Sequence, residues 1–264
     1  MIRFGYADSR DGQVHYRTAG NAESLPVVFL HQTASSGAMF EKIMTRLGDR
    51  FRMIAFDTPG FGMSFKPETI PGLGWLADRL VEAIDDLGVG RFHLMGHHTG
   101  GCIALEIADR HPGRIATLGI MGPVVATDDE RAEYRKTFVA PFRPADDGSH
   151  LMIAWAYLSR IGADRAPGVH HREMIDHLLG ARAMPMAFDA VWNQDAEALY
   201  RKITAPLLLH CSKDDVLWPL FERTCALCPE AEVLLTEGMD FQPDNDPDAM
   251  AAGIGAFLAK HKGS

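Results

Sequence analysis

No apolar run in the 264 residues approaches the roughly 20 that a membrane-spanning helix needs. Cysteine is scarce: Cys102, Cys211, Cys225 and Cys228 are too few and too scattered for a disulfide framework. Basic residues are outnumbered, 26 Lys and Arg against 35 Asp and Glu. The resulting net charge of −9 repels nucleic acid and anionic membranes, so neither is expected as a partner. Met1 to Gly20 carries charges throughout and lacks the apolar block of a signal peptide, which leads us to expect a cytoplasmic protein. Internal repeats and low-complexity tracts are missing too. Cys225-Ala-Leu-Cys228 has no second pair and no thioredoxin-like setting, so it reads as two small apolar residues on a helix.

What is present is an ordinary globular composition, 47% apolar and 23% charged. The spacing predicts two antiparallel strands over 2–7 and 13–19, joined at Ser9-Arg10-Asp11-Gly12. Apolar runs at Pro26–Leu30, Phe51–Phe56, Arg91–Met95, Ile115–Met121, Pro206–His210 and Ala231–Leu235 predict strands, with Pro26–Leu30 buried on both faces and Ile115–Met121 buried as well. Helical patterns fill 37–48, Leu76 to Leu87, 99–110 and 247–260. That alternation implies a parallel sheet with helices on both sides. From about 125 to 185 no strand-like run occurs, and Met and aromatic residues such as Phe138, Trp155 and Tyr157 recur on helical stretches. We therefore expect a core of 1–124 and 186–264 with a helical cap, 125–185, inserted between its halves.

The centre of the chain is Leu94-Met95-Gly96-His97-His98-Thr99-Gly100-Gly101, where a strand meets a helix. Two glycines bracketing one side chain form the frame of a nucleophile elbow, G-x-S-x-G, whose sharp turn lifts a reactive group above a sheet. Here the apex is His98. With the elbow go the His31-Gln32 loop, the Asp57-Thr58-Pro59-Gly60-Phe61-Gly62-Met63-Ser64 loop and the Lys213 to Pro219 turn.

Together these stretches resemble the α/β-hydrolase superfamily along nearly the whole chain. The resemblance implies a mostly parallel eight-stranded sheet flanked by helices, with an inserted cap. It also implies a nucleophile at the elbow, an acid after a late strand and a histidine after the last strand, in that chain order. Asp215 matches the acid. Between His210 and His261 there is no histidine. Where the family has G-x-G-H-F, this chain has Glu237-Gly238-Met239-Asp240-Phe241, which places Asp240, or on a second anchoring Phe241, at the histidine position.

An imidazole at the apex suits a general base, which is worth about 10²- to 10⁴-fold in rate when well placed. We expect His98 in that role, or as nucleophile, oriented by Asp240 or Asp215. An oxyanion hole is expected from the backbone N–H groups of Thr99, at a helix start, and Thr33. Gln32, Trp155 and Phe241 are the expected substrate contacts. His31, His97 and His210 are read as structural, and His170, His171 and His177 as a solvated helix face. His97 and His98, being adjacent, should point apart, so no metal site is expected; nor does any of these roles need a cofactor. Met and aromatic residues in the cap point to a small, largely apolar carbonyl substrate. A hydrolase, a cofactor-independent lyase, isomerase or oxygenase, and a non-catalytic binding protein all fit this pattern, as a monomer or homodimer.

Overall fold

The computed structural model describes residues 1–20, 23–138 and 140–261. Among them eight strands form one sheet in the order β1-β2-β4-β3-β5-β6-β7-β8. β1 (Arg3–Ser9) and β2 (Gly12–Ala19) pair antiparallel, and β2 pairs antiparallel with β4 (Met53–Phe56). β3 (Val27–Leu30), β5 (Phe92–His97), β6 (Ile115–Met121), β7 (Leu207–Ser212) and β8 (Glu232–Thr236) continue in parallel. The hairpin runs longer than its sequence suggests: Ser9 pairs with Gly12, and the Ser9 hydroxyl donates to Gly12 O at 2.6 Å. Only Arg10 and Asp11 are left in the turn.

Alternation along β3 shows why the central strands are continuously apolar. Val28 and Leu30 pack with α2 (Leu73–Asp86) and α3 (Thr99–Arg110), while Val27 and Phe29 pack with α1 (Glu41–Leu47) and α11 (Pro247–Lys260). Each side chain so buried contributes roughly 1.5–3 kcal/mol. β8, at the sheet edge, alternates instead and leaves Val233 and Leu235 half exposed.

The loop after β4 is organised by Asp57, which is wholly buried. Its carboxylate accepts from Arg17 Nη1 (2.6 Å), His15 Nδ1 (2.9 Å), Gly37 N–H (2.8 Å) and Met63 N–H (2.9 Å). Burial alone would raise its pKa, yet the bonds from His15 and Met63 and the Arg17 charge lower it well below the ordinary 3.8. Asp57→Ala leaves the Arg17 guanidinium buried without this partner, and we expect a loss of about 3–5 kcal/mol in urea unfolding. Because the folded pKa is depressed, the contribution is full above pH 3.8 and fades as pH falls below it; the variant's stability should vary less with pH in that range. A loss under 1 kcal/mol would refute this account.

Helices α4 (Asp128–Thr137), α5 (Ser149–Arg160), α6 (Val169–Leu179), α7 (Met184–Asn193) and α8 (Ala196–Tyr200) lie between β6 and β7, and α9 (Trp218–Leu227) between β7 and β8. α7 and α8 rest on α3. α6 turns a polar face inward. Ser35 donates to Glu173 and Ser36 to Asp176, each at 2.8 Å, and Arg172 bonds Asp244 in α10 (Gln242–Asn245) at 2.6 and 3.0 Å. Burial, with Glu173 adding to it, pushes the Asp176 carboxyl up to about 7. This corrects the solvated-face reading for two histidines. His177 is buried, its Nδ1 on Glu173 O, and His170 is buried against the Trp155 ring; His171 alone is exposed.

Candidate active site

β5 ends in His97 and α3 begins at Thr99, so His98 must reverse the chain in one residue. It does so at φ +48°, ψ −112°, a conformation that costs a non-glycine residue about 1–3 kcal/mol. The surroundings hold it there. His98 N–H donates to Met121 O at 2.8 Å, and Cys102 N–H to His98 O at 3.1 Å. The flanking glycines are dictated by closeness: a Cβ at Gly96 would lie 2.3 Å from Gly100 O, and one at Gly100 would lie 2.2 Å from Leu30 O.

The imidazole then points sideways to the end of β7. His98 Nε2 meets Asp215 Oδ2 at 2.9 Å. Of the two carboxylates that the sequence offers as orienters, Asp215 is the one on His98. It also accepts from Gln242 Nε2 (2.6 Å, Oδ2) and Leu217 N–H (2.7 Å, Oδ1). Burial disfavours the Asp215 charge, but His98 and the Leu217 N–H hold the pKa below its usual value. Burial likewise opposes a charged His98, and Asp215 outweighs it, so the His98 pKa is raised. An ionised carboxylate only accepts, so Nε2 carries the proton and Nδ1 is left with a lone pair. Nδ1 has no hydrogen-bond partner among the described residues.

Gly122, which the sequence reading passed over, makes room for this ring. A Cβ there would lie 2.1 Å from His98 Cδ2 and 2.4 Å from Nε2. Its signal was a glycine directly after the strand beside the elbow. Gln242 was also missed, and no motif marks it. Its side chain joins Asp215 to His97, whose Nε2 donates to Gln242 Oε1 at 2.6 Å.

The expectation that His97 and His98 point apart is corrected: their rings stack, centroids 4.4 Å apart and planes 24° from parallel. This brings nitrogens of both and an Asp215 oxygen within 4.8 Å of one another. A metal ion needs lone pairs that converge, and near-parallel stacked rings direct theirs side by side. His31 and His210 are tied into the scaffold. His31 bridges Gln32 O (2.7 Å) and Thr58 N–H (2.9 Å), and His210 bonds Thr236 Oγ1 (2.7 Å), with burial pushing its pKa down to about 4.

A small cavity of about 50 Å³ opens beside His98, lined also by Gln32, Thr33, Thr99, Tyr157 and Asp240. Thr33 Oγ1 donates to Thr99 Oγ1 at 2.9 Å, which holds the two expected oxyanion donors together. Asp240 accepts from Val216 N–H at 3.1 Å, and burial, then Asp215, pushes its pKa up to about 7. The inner cavity shares Phe138, Tyr157, Ile161, Phe188 and Val216 with an outer chamber of about 640 Å³. Two expected contacts are corrected. Trp155 lies on the far side of α5 against His170, and Phe241 is fully buried with Leu158, Ile161 and Val169. Periodicity marks the 125–185 stretch as apolar but does not say which side of each helix meets the cavity, and Phe188, Val191 and Trp192 of α7, which line it too, fall in the stretch expected as core.

A model of the family described as alpha/beta hydrolase fold matches residues 26–158. The chain is 30% identical over 261 residues to a protein named "Putative carbamate hydrolase RutD" from Agrobacterium fabrum, spanning 93% of this chain and 97% of the relative. It is 28% identical over 248 residues to the 2-(acetamidomethylene)succinate hydrolase of Mesorhizobium japonicum, 88% of this chain and 87% of that one. A solved esterase from Thermogutta terrifontis shares the fold with a TM-score of 0.81 at 19% identity, covering 98% and 99% of the two chains. The sheet order, the elbow and these likenesses agree: the chain belongs to the α/β-hydrolase family.

Proposed function

We propose that this protein hydrolyses a small, largely apolar carbonyl compound, with His98 as general base in place of a serine nucleophile. The observation that carries this reading is the 2.9 Å bond from His98 Nε2 to Asp215, made beside a cavity that Thr33 and Thr99 also line. Asp215 fixes the tautomer and raises the basicity of Nδ1. Nδ1 takes a proton from water as the water oxygen attacks the carbonyl carbon, and the Thr99 and Thr33 N–H groups receive the developing oxyanion, roughly 3 kcal/mol each. About 50 Å³ admits water and a short acyl group but little more, so the rest of the substrate extends into the outer chamber. The names of the two relatives denote hydrolysis of a carbamate and of an acetamido compound, which favours hydrolysis over lyase or isomerase chemistry.

The test is covalent. Enzyme quenched while turning over p-nitrophenyl acetate should show an unchanged mass, and a fluorophosphonate should leave it unlabelled and active. An acyl adduct on His98, or stoichiometric phosphonylation with loss of activity, would overturn the general-base role.

A further inference from the structure

Three ionisable groups crowd the inner end of the cavity, and only two of them are matched. Asp215 is paired with His98 and takes two further donors. Asp240, 3% exposed, accepts one hydrogen bond, from Val216 N–H to Oδ1. Among the described residues no cation pairs with it. The titratable groups around it are the carboxylate of Asp215, the imidazole of His98, the phenol of Tyr157 from α5 and the Cys211 thiol of β7, and none of these is a permanent cation. Arg160, the nearest cation on α5, lies over the Tyr157 ring at 5.6 Å instead. Two carboxylates beside a single imidazole cannot both hold a charge cheaply out of water, and the one without the imidazole is the one that keeps its proton.

We propose that Asp240 is a neutral carboxylic acid that donates its proton to the leaving group, the acid partner of the base His98. This rests on the hydrolytic reading above. In the balanced step, water loses a proton to His98 Nδ1 and forms the new C–O bond. The tetrahedral oxyanion then collapses, the bond from carbon to the leaving atom breaks, and the leaving atom takes the Asp240 proton. R–CO–X and water become R–COOH and HX, and the proton on His98 returns to Asp240 through the cavity. A serine enzyme uses one histidine in turn as base and acid; here the two duties fall on two side chains, each with its own protonation state. Both groups must be in their working forms at once, which limits activity at acid pH through His98 and at alkaline pH through Asp240.

The test uses Asp240→Asn in the full chain. Infrared difference spectra of wild type against Asp240→Asn at neutral pH should show loss of a protonated-carboxyl C=O band. Across aryl acetates and ethyl acetate, the variant should lose about threefold with p-nitrophenyl acetate, which leaves unaided, and ~10²-fold or more with ethyl acetate, which does not. The wild-type rate should become steeply leaving-group dependent as pH rises through Asp240 ionisation, a measurement that needs no variant to fold. Absence of the band, or equal losses on good and poor leaving groups, would overturn the acid role and leave His98 untouched. Full activity of His98→Ala would instead remove the hydrolytic reading itself.

Discussion

His98→Ser, which rewrites the elbow as Gly-His-Ser-Thr-Gly, is expected to lower kcat/KM by about 10²- to 10⁴-fold, as far as His98→Ala does. The serine would gain the hydrolase letter but no base. His98 itself fills the place between elbow and acid, no histidine follows His210 before His261, and His97 and His210 are committed to Gln242 and Thr236. Either variant should unfold at a lower midpoint than wild type, because the buried Asp215 carboxylate loses one of its three donors, so the rates are to be compared on protein shown to be folded. With p-nitrophenyl acetate, whose leaving group needs little help from Asp240, the wild-type rate should rise with pH through a value above 6.5, since the base must be neutral and Asp215 raises its pKa; both variants should lose that limb. A His98→Ser enzyme as active as wild type would refute the role of the imidazole.

Asp215→Asn should cost a comparable ~10²- to 10⁴-fold, although it removes no heavy-atom volume. Three N–H donors converge on the carboxylate, two on Oδ2 and one on Oδ1. An amide has a single acceptor oxygen and adds two donors, so at least one N–H must face another. If the amide NH₂ turns to His98, Nε2 becomes the acceptor, the proton moves to Nδ1, and the base points the wrong way. Should the NH₂ turn to Leu217 instead, the loop after β7 loses its anchor. Both outcomes lose rate, and the first leaves a signature: the imidazole nitrogen resonances in NMR should report the tautomer changing from Nε2–H to Nδ1–H. Wild-type kcat/KM would sink the orienting role of Asp215.

Much of this was legible in the chain. The D-x-P-G-x-G-x-S loop and the elbow placed the parallel sheet: the elbow needs glycines where backbones touch, and the loop needs them at Gly60 and Gly62, which turn at positive φ. Helices 99–110 and 247–260 follow from apolar spacing alone. Other features are long-range facts with no local signal. The direction of the His98 ring depends on space left by Gly122, 24 residues away, and the link to His97 on Gln242. The inward face of α6 defeats the usual inference as well. Arg172, Glu173 and Asp176 have the composition of a solvated surface, yet they are matched by hydroxyls and a carboxylate from distant segments, so that Glu173 and Asp176 lie buried and Arg172 half-buried.

Those bonds hold α6 down on the loop after β3 and on α10. Raising α6 would strip partners from a guanidinium and two acids at several kcal/mol, so such a raised form is populated below about one part in a thousand. A solute moving from the outer chamber to the inner cavity passes Phe138, Tyr157, Ile161, Phe188 and Val216, the walls common to both. A passage walled by three aromatic rings sorts molecules by girth before any bond is made. Candidate substrates can therefore be ranked by cross-section ahead of reactivity, and replacing Phe138 or Phe188 is expected to widen the range of esters turned over, with some loss of rate because both also line the inner cavity.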